Sequence, residues 1–125
     1  MYTLSVEKDF IAQHYLIGGD FGDENELHSH PYRVEVILRG DTLDNHGYLL
    51  DITEVEQTLD DLVAFFSDTT LNDLPEFKGL NPSLEHFARI FWEKLVAALP
   101  VDQLSGVSVK LWEDANTWVR FTDTM

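Results

Sequence analysis

The sequence contains no cysteine, which excludes disulfides, cysteine-ligated zinc sites and cysteine nucleophiles. Basic residues are also scarce: 8 Lys and Arg stand against 23 Asp and Glu, giving a formal net charge of −15. This balance argues against binding to nucleic acid, whose phosphates need clustered cations, and against docking on anionic membranes. No hydrophobic run approaches the length of a membrane span, and the first residues do not resemble a secretory signal. We therefore expect a cytoplasmic protein.

The chain does contain enough apolar residues for a folded core. Its 125 residues are 44% hydrophobic and 12% aromatic, and no internal repeat or low-complexity linker divides them. Chains of this length and composition usually fold as one compact domain, which we expect to span residues 1–125.

The hydrophobic pattern predicts strands, then two helices, then strands again. Residues 2 to about 16 and the segment from Pro31 are predicted strands, and GYLLDI is predicted to return as a hairpin partner. The segments VSVKLWE and NTWVRFT are predicted to form a second hairpin. Strands grouped on either side of helices indicate an α+β fold, with an antiparallel sheet and both helices on one face.

Two amphipathic helices are predicted between the strand groups. Thr53 and Glu56 have the spacing of a capping box, so the first helix is expected to begin there. Its apolar stripe consists of Val55, Leu59, Leu62, Val63 and Phe66. The second helix is expected to begin at Asn81-Pro82-Ser83, where proline is tolerated in the first turn. Its apolar face consists of Leu84, Phe87, Ala88, Phe91 and Leu95.

The pair His28 and His30 is the first feature of the sequence that indicates a metal-binding site. Residues two apart in a strand project from the same face, so both imidazoles can point to one place. If the first strand pairs with theirs, His14 completes a three-histidine site with an open fourth position, the usual catalytic zinc arrangement. The spacing alone also fits solvated or structural histidines. We expect His46, in a turn, and His86, on a helix, to be of that second kind.

Several segments together resemble the 6-pyruvoyl-tetrahydropterin synthase family, which includes 6-carboxy-tetrahydropterin synthase of the queuosine pathway. FIAQHYL and LHSHPYRVEV are similar to the F-x-A-x-H and H-G-H segments of that family. GYLLDITEVEQ, LNDLPEFKGLNPSLEHFAR and KLWEDANTWVRF are similar to its later motifs, in the same order. The resemblance covers nearly the whole chain and is therefore more specific than any single motif.

The resemblance implies the tunnelling fold, in which four-stranded sheets with two helices on one face join into trimeric barrels, commonly paired as hexamers. It implies that active sites lie between subunits, that His14, His28 and His30 bind zinc, and that Glu113 anchors a pterin. A carboxylate suits the anchor because it accepts hydrogen bonds from the amino group and the ring N–H together. The implied activity is that of a carbon–carbon lyase acting on the side chain of 7,8-dihydroneopterin or its triphosphate.

The departures from the family pattern concern the groups that move protons. The usual cysteine is absent, and Glu24 lies four residues before His28. A folate-linked branch of the family has a glutamate in place of this cysteine and releases 6-hydroxymethyl-7,8-dihydropterin. Glu26 is a less well placed second candidate. Ser67 and Asp68 stand where the family has Asp and His, so Asp68 is the remaining candidate for proton relay.

A structural metal protein without pterin ranks last among the possible functions, because a metal with only three protein ligands indicates an open site. Two other functions remain open at this point. One is a zinc-dependent pterin lyase with Glu24 as general base and Asp68 assisting. The other is a non-catalytic pterin- and metal-binding relative that has lost the Cys, His and Asp triad. The scarcity of cations further predicts a preference for dephosphorylated dihydroneopterin. The sequence does not choose between folate and queuosine pathways, or between zinc and other metals that imidazoles bind.

Overall fold

Four strands and two helices make up the computed structural model, which describes residues 1–123. The strands are β1 (Tyr2–His14), β2 (His28–Gly40), β3 (Gly106–Trp112) and β4 (Trp118–Asp123). The helices are α1 (Ile52–Phe66) and α2 (Leu84–Ala98). The strands form one antiparallel sheet in the order β1-β2-β3-β4. Neither helix, at 15 residues each, has the length and apolarity needed to span a membrane in the described part of the chain.

The hydrophobic core fills the space between the helices and one face of the sheet. Register places Phe10 opposite Tyr32 and Val36 opposite Val109, and alternate residues along the inner strands are buried on this face. The helices contribute the stripes expected from their 3.6-residue period, with Leu62 and Leu84 only partly buried. The predicted α+β architecture, with both helices on one face, is therefore confirmed.

Two local predictions are wrong. The segment GYLLDI forms bends followed by the first residue of α1, because both edges of β2 are already paired, one with β1 and the other with β3. The cap of α1 is Asp51 instead of Thr53, since the helix begins at Ile52. The Asp51 carboxylate accepts hydrogen bonds from the backbone N–H and the hydroxyl of Thr53.

The connection after α1 runs along the outer edge of β1. The backbone N–H of Asp68 donates to the carbonyl of Ile11 at 2.7 Å, and that of Gln13 donates to Thr69 at 2.8 Å. Two short 3-10 turns follow, Leu71–Asp73 and Pro75–Phe77. This route brings the L-N-D segment beside the end of β1 that carries His14.

Candidate metal centre

Three imidazoles meet where β1 ends and β2 begins. The strand register places His14 opposite His28 and Ala12 opposite His30, so all three histidines lie on the helix-facing side of the sheet. The Nε2 atoms of His14 and His28 are 3.0 Å apart. The ring centroid of His30 lies 5.7 Å from that of His14 and 6.2 Å from that of His28. Strand pairing therefore produces the juxtaposition that the sequence predicted, while their role as ligands stays a prediction.

The second nitrogen of each imidazole is already engaged. His28 Nδ1 lies 2.8 Å from the carbonyl oxygen of Glu26, and His30 Nδ1 lies 3.1 Å from the carbonyl oxygen of the residue after it. A carbonyl only accepts, so in these two rings Nδ1 carries the proton and donates. His14 Nδ1 lies 3.0 Å from the hydroxyl of Tyr32. Metal-binding histidines are commonly fixed in this way, with Nε2 left to bind the metal.

Burial keeps His14 neutral. Only 5% of this residue is exposed. Desolvation lowers its pKa from 6.5 to about 4, and the neighbouring charges of His28 and His30 act in the same direction. Burial likewise raises the pKa of Tyr32, which therefore keeps its hydroxyl proton. A neutral imidazole is the form that binds a metal ion.

Two carboxylates border the histidines. Glu24, from the 3-10 turn Gly22–Asn25, places Oε2 2.9 Å from His28 Nε2. One donor atom from each of His14, Glu24 and His28 lies within 4.8 Å of the other two. Glu113, directly after β3, places Oε1 3.6 Å from His30 Nε2. Imidazole nitrogens and a carboxylate oxygen are suitable zinc ligands, so these residues fit a divalent metal ion.

Asparagine side chains hold the loop that carries Glu24. Asn72 Oδ1 accepts from the N–H of Tyr15 at 3.0 Å, and its Nδ2 donates to the carbonyl of the same residue at 2.9 Å. Asn25 Nδ2 donates to the carbonyl of Leu16 at 3.0 Å, and the N–H of Leu16 donates to the carbonyl of Glu24 at 2.8 Å. Neither Asn72, in the L-N-D motif, nor Tyr32, which follows the histidine pair on the same strand face, was predicted from the sequence to have a role at the site.

Asp68 lies apart from the histidines within one chain. Its φ is 58°, a left-handed conformation that Asp tolerates better than most residues. It lines a groove of about 850 Å³ with Ile11, Arg33 and Trp112, and no histidine of residues 1–123 borders that groove. Ile11 and Arg33 alternate with the residues that face the helices, so the groove opens mainly on the opposite face of the sheet.

The remaining two histidines lie outside the centre, as expected. His46 is exposed in a turn. His86, on α2, has its Nδ1 2.9 Å from the carbonyl oxygen of Asn81, so that nitrogen is satisfied within the helix start.

Comparison with known proteins agrees with this arrangement. The family model described as 6-pyruvoyl tetrahydropterin synthase matches residues 3–124. A Dictyostelium discoideum 6-pyruvoyl tetrahydrobiopterin synthase is 32% identical over 94 residues, which cover 74% of this chain and 67% of that protein.

Solved structures show the same fold. The Caenorhabditis elegans 6-pyruvoyl tetrahydropterin synthase superposes with a TM-score of 0.86 at 21% identity, covering 98% of this chain and 96% of that one. A Plasmodium vivax 6-pyruvoyltetrahydropterin synthase, in which a catalytic glutamate is replaced by alanine, has a TM-score of 0.82 at 14% identity, covering 99% and 98%. The fold is thus the tunnelling fold, and the chain belongs to the 6-pyruvoyl tetrahydropterin synthase family, whose members are pterin-processing lyases.

Proposed function

We propose that the protein is a zinc-dependent lyase that cleaves the side chain of 7,8-dihydroneopterin, with Glu24 as the general base. The observation that carries this proposal is the Glu24 carboxylate, 2.9 Å from His28 Nε2 and beside the other two imidazoles. The catalytic glutamate of the Plasmodium vivax synthase supports it, because that enzyme shows a carboxylate in a catalytic role on this fold.

In this proposal the histidines hold the metal and Glu24 transfers the proton. Zinc, held by His14, His28 and His30, would act as a Lewis acid that makes the hydroxyls of a pterin side chain more acidic. Glu24 accepts the proton of the hydroxyl on the second side-chain carbon. The bond between the first and second side-chain carbons then breaks, and the second carbon becomes the aldehyde carbon of glycolaldehyde.

The rest of the step balances without a co-substrate. The electron pair of the broken bond moves to the first side-chain carbon and the pterin ring, and the proton held by Glu24 returns to that carbon. The products are 6-hydroxymethyl-7,8-dihydropterin and glycolaldehyde, and together they contain every atom of the substrate. Proton transfer by a positioned base of this kind contributes about 10²–10⁴-fold to a rate.

Glu113 orients the pterin in this proposal. Its carboxylate accepts hydrogen bonds from the ring N–H and the amino group, which form a two-donor edge. The Glu113 Oε1 lies 3.6 Å from His30 Nε2, so an anchored ring would lie next to the histidines and present its side chain to Glu24. Positioning of the reacting bond beside the base is itself a large part of catalysis.

The charges of the groove that contains Asp68, which a neighbouring copy would bring to the centre, favour the dephosphorylated substrate. Among the described residues that line the groove, Arg33 is the only cation, and its Nε donates to Asp9 at 2.8 Å. Asp68 and Asp114 add negative charge to the same groove. A triphosphate would enter this field without a free cation to receive it, so dihydroneopterin is proposed as the better substrate.

Subunit association completes the proposed site. We place three copies in a barrel, with further pairing to a hexamer and active sites between neighbours, as in the family this chain resembles. The separation of Asp68 from the histidines within one chain supports this, since a neighbour's groove would bring that carboxylate to the site. In this arrangement Asp68 assists proton transfer from across the interface.

Product analysis tests the proposal. Zinc-loaded protein is incubated with 7,8-dihydroneopterin and, separately, with its triphosphate, and pterins are separated by chromatography. We expect 6-hydroxymethyl-7,8-dihydropterin, with a higher kcat/KM for the dephosphorylated compound. Glu24→Gln should lower kcat by about 100-fold or more at saturating zinc. Asp23→Asn, which removes the adjacent exposed charge, should not.

Each contrary result has its own meaning. If the zinc-loaded protein binds neopterin and turns over neither compound, it is the non-catalytic pterin- and metal-binding relative. A much higher kcat/KM for the triphosphate would reject the charge argument while leaving the lyase in place.

A further inference from the structure

The Glu24 carboxylate lies closer to the histidines than a base waiting for substrate needs to be. We propose that Glu24 is a displaceable metal ligand, which in the resting protein binds the metal in addition to the histidines that hold it, on the side of His14 and His28, and leaves it to act as a base. This inference rests on the metal site of the proposed function and adds a second role for one of its residues.

The first support is the convergence of acceptor atoms. His28 Nδ1 donates to a backbone carbonyl at 2.8 Å, so Nε2 of the neutral ring presents a lone pair. His14 Nε2 lies 3.0 Å from His28 Nε2, and Glu24 Oε2 lies 2.9 Å from the same nitrogen. When His14 donates the proton of Nδ1 to the Tyr32 hydroxyl, all three atoms present electron pairs, and these repel one another unless a cation lies among them. A bound metal ion satisfies all three donors at once, and a carboxylate oxygen is a good zinc ligand.

The second support is the position of His30. Its ring centroid is 5.7 Å from that of His14, whereas the rings of His14 and His28 are 4.5 Å apart. Its Nε2 faces Glu113 at 3.6 Å. The tightest donor set is therefore two imidazoles with Glu24, and His30 stands at the side where a pterin anchored on Glu113 would enter.

The third support is that the Glu24 side chain is free to move on a fixed backbone. Its carbonyl accepts from Leu16, and the neighbouring Asn25 holds the loop through the carbonyls of Leu16 and Gly19. The side chain itself is 53% exposed, and in the described part of the chain its carboxylate has one close polar partner, Nε2 of His28. Rotation away from the histidines therefore breaks no hydrogen bond or ion pair of this carboxylate with another described residue.

This arrangement makes opposite predictions for metal and pterin. A resting ligand strengthens metal binding, so its loss should weaken the affinity for metal. The same carboxylate competes with an incoming pterin, because only the fraction of protein with the carboxylate displaced is competent to bind. Its loss should therefore tighten binding of a pterin to the metal-loaded protein.

Cobalt(II) provides the test, because its absorption bands report the ligands around it. Wild type, Glu24→Gln, Glu24→Ala and the control Asp23→Asn are titrated with cobalt alone, and cobalt-saturated samples are then titrated with oxidised neopterin. We expect both Glu24 variants to bind cobalt about tenfold or more weakly, with altered bands, and to bind neopterin more tightly. Asp23→Asn should match wild type in all three measurements, because it removes the same charge without removing the ligand.

Two results overturn the inference. Equal cobalt affinity and identical bands in wild type and both Glu24 variants would show that Glu24 is not a ligand, while the proposed lyase could still hold. Weaker neopterin binding in the Glu24 variants would show that the carboxylate is not displaced. Failure of wild type to bind cobalt at all is a different outcome, since it removes the metal site and the proposed function with it.

Discussion

His14 makes the stability of the metal-free protein depend on pH. Burial lowers its pKa from 6.5 to about 4, so between these values the unfolded chain binds a proton that the folded chain does not. Stability should therefore fall as the pH falls through this window, by roughly 3 kcal/mol from this group over the whole window. Urea unfolding at pH 7, 5.5 and 4.5 measures the loss. His14→Gln, which cannot titrate, should lose less over the same range, and parallel curves would assign the effect to other groups.

The hydroxyl of Tyr32 should increase the zinc affinity of the site. That hydroxyl lies 3.0 Å from His14 Nδ1, while the ring packs on Phe10 and Phe87 at centroid distances of 5.4 and 5.2 Å. Tyr32→Phe keeps the packing and removes the hydrogen bond, so we expect a normal fold and a zinc affinity lowered about tenfold or more. Competition with a chromophoric chelator measures this affinity.

The exposed Tyr48 provides the matched control for that hydroxyl. Tyr48→Phe makes the same chemical change at a residue that lines a shallow groove with Tyr2 and Leu43, at the end of β1 opposite to His14. It should leave zinc affinity unchanged. If Tyr32→Phe also leaves it unchanged, Tyr32 contributes packing alone.

At the scale of elements, the start of α1 depends on Asp51. Its carboxylate accepts from the N–H of Thr53 at 3.0 Å and from the Thr53 hydroxyl at 2.7 Å. Asp51→Ala should lower the free energy of unfolding by about 1 kcal/mol, the usual cost of a lost cap. Denaturant unfolding measures the change. Glu56→Ala is the comparison. An equally large loss of stability in this variant would show that Glu56 caps the helix, as the predicted capping box of Thr53 and Glu56 requires.

Elements that present one repeating face to the core could be predicted from the sequence. The β2 residues Val34, Val36 and Leu38 fall on one face by their spacing of two, with Arg33 and Glu35 on the other, and all three are buried. The segment GYLLDI carries the same local signal, yet it forms no strand because β2 has no free edge. Which edges are occupied depends on residues more than 60 positions away in β3, and a local pattern does not contain that information.

In the candidate site, too, features set by a local pattern could be predicted, and features set by distant residues could not. His14, His28 and His30 could be placed together because strand alternation and pairing suffice for it. The role of Asn72 could not be predicted, because its side chain bonds the backbone of Tyr15 across 57 positions of sequence. Glu24 was identified through family resemblance, but its closeness to His28 depends on how the loop at residues 15–27 folds back.

In the whole molecule, the outer strands favour association of several copies, whereas the net charge opposes it. The sheet ends in β1 and β4, and within residues 1–123 the outer side of β1 is covered only near residues 11–13, by the segment after α1. Unpaired backbone along such an edge favours addition of another strand. A net charge of −15 per chain resists bringing several copies together.

Association should therefore depend on salt. At about 10 mM salt, screening extends over roughly 30 Å and the copies repel, whereas at 0.5 M it acts over only a few ångströms. We expect light scattering after gel filtration to give three or six times 14.4 kDa at 0.5 M sodium chloride, and a smaller average mass at 10 mM. Turnover of dihydroneopterin should fall together with the mass, because a separated chain keeps Asp68 away from the histidines. A monomer that is fully active at both concentrations would show that one chain contains the whole site.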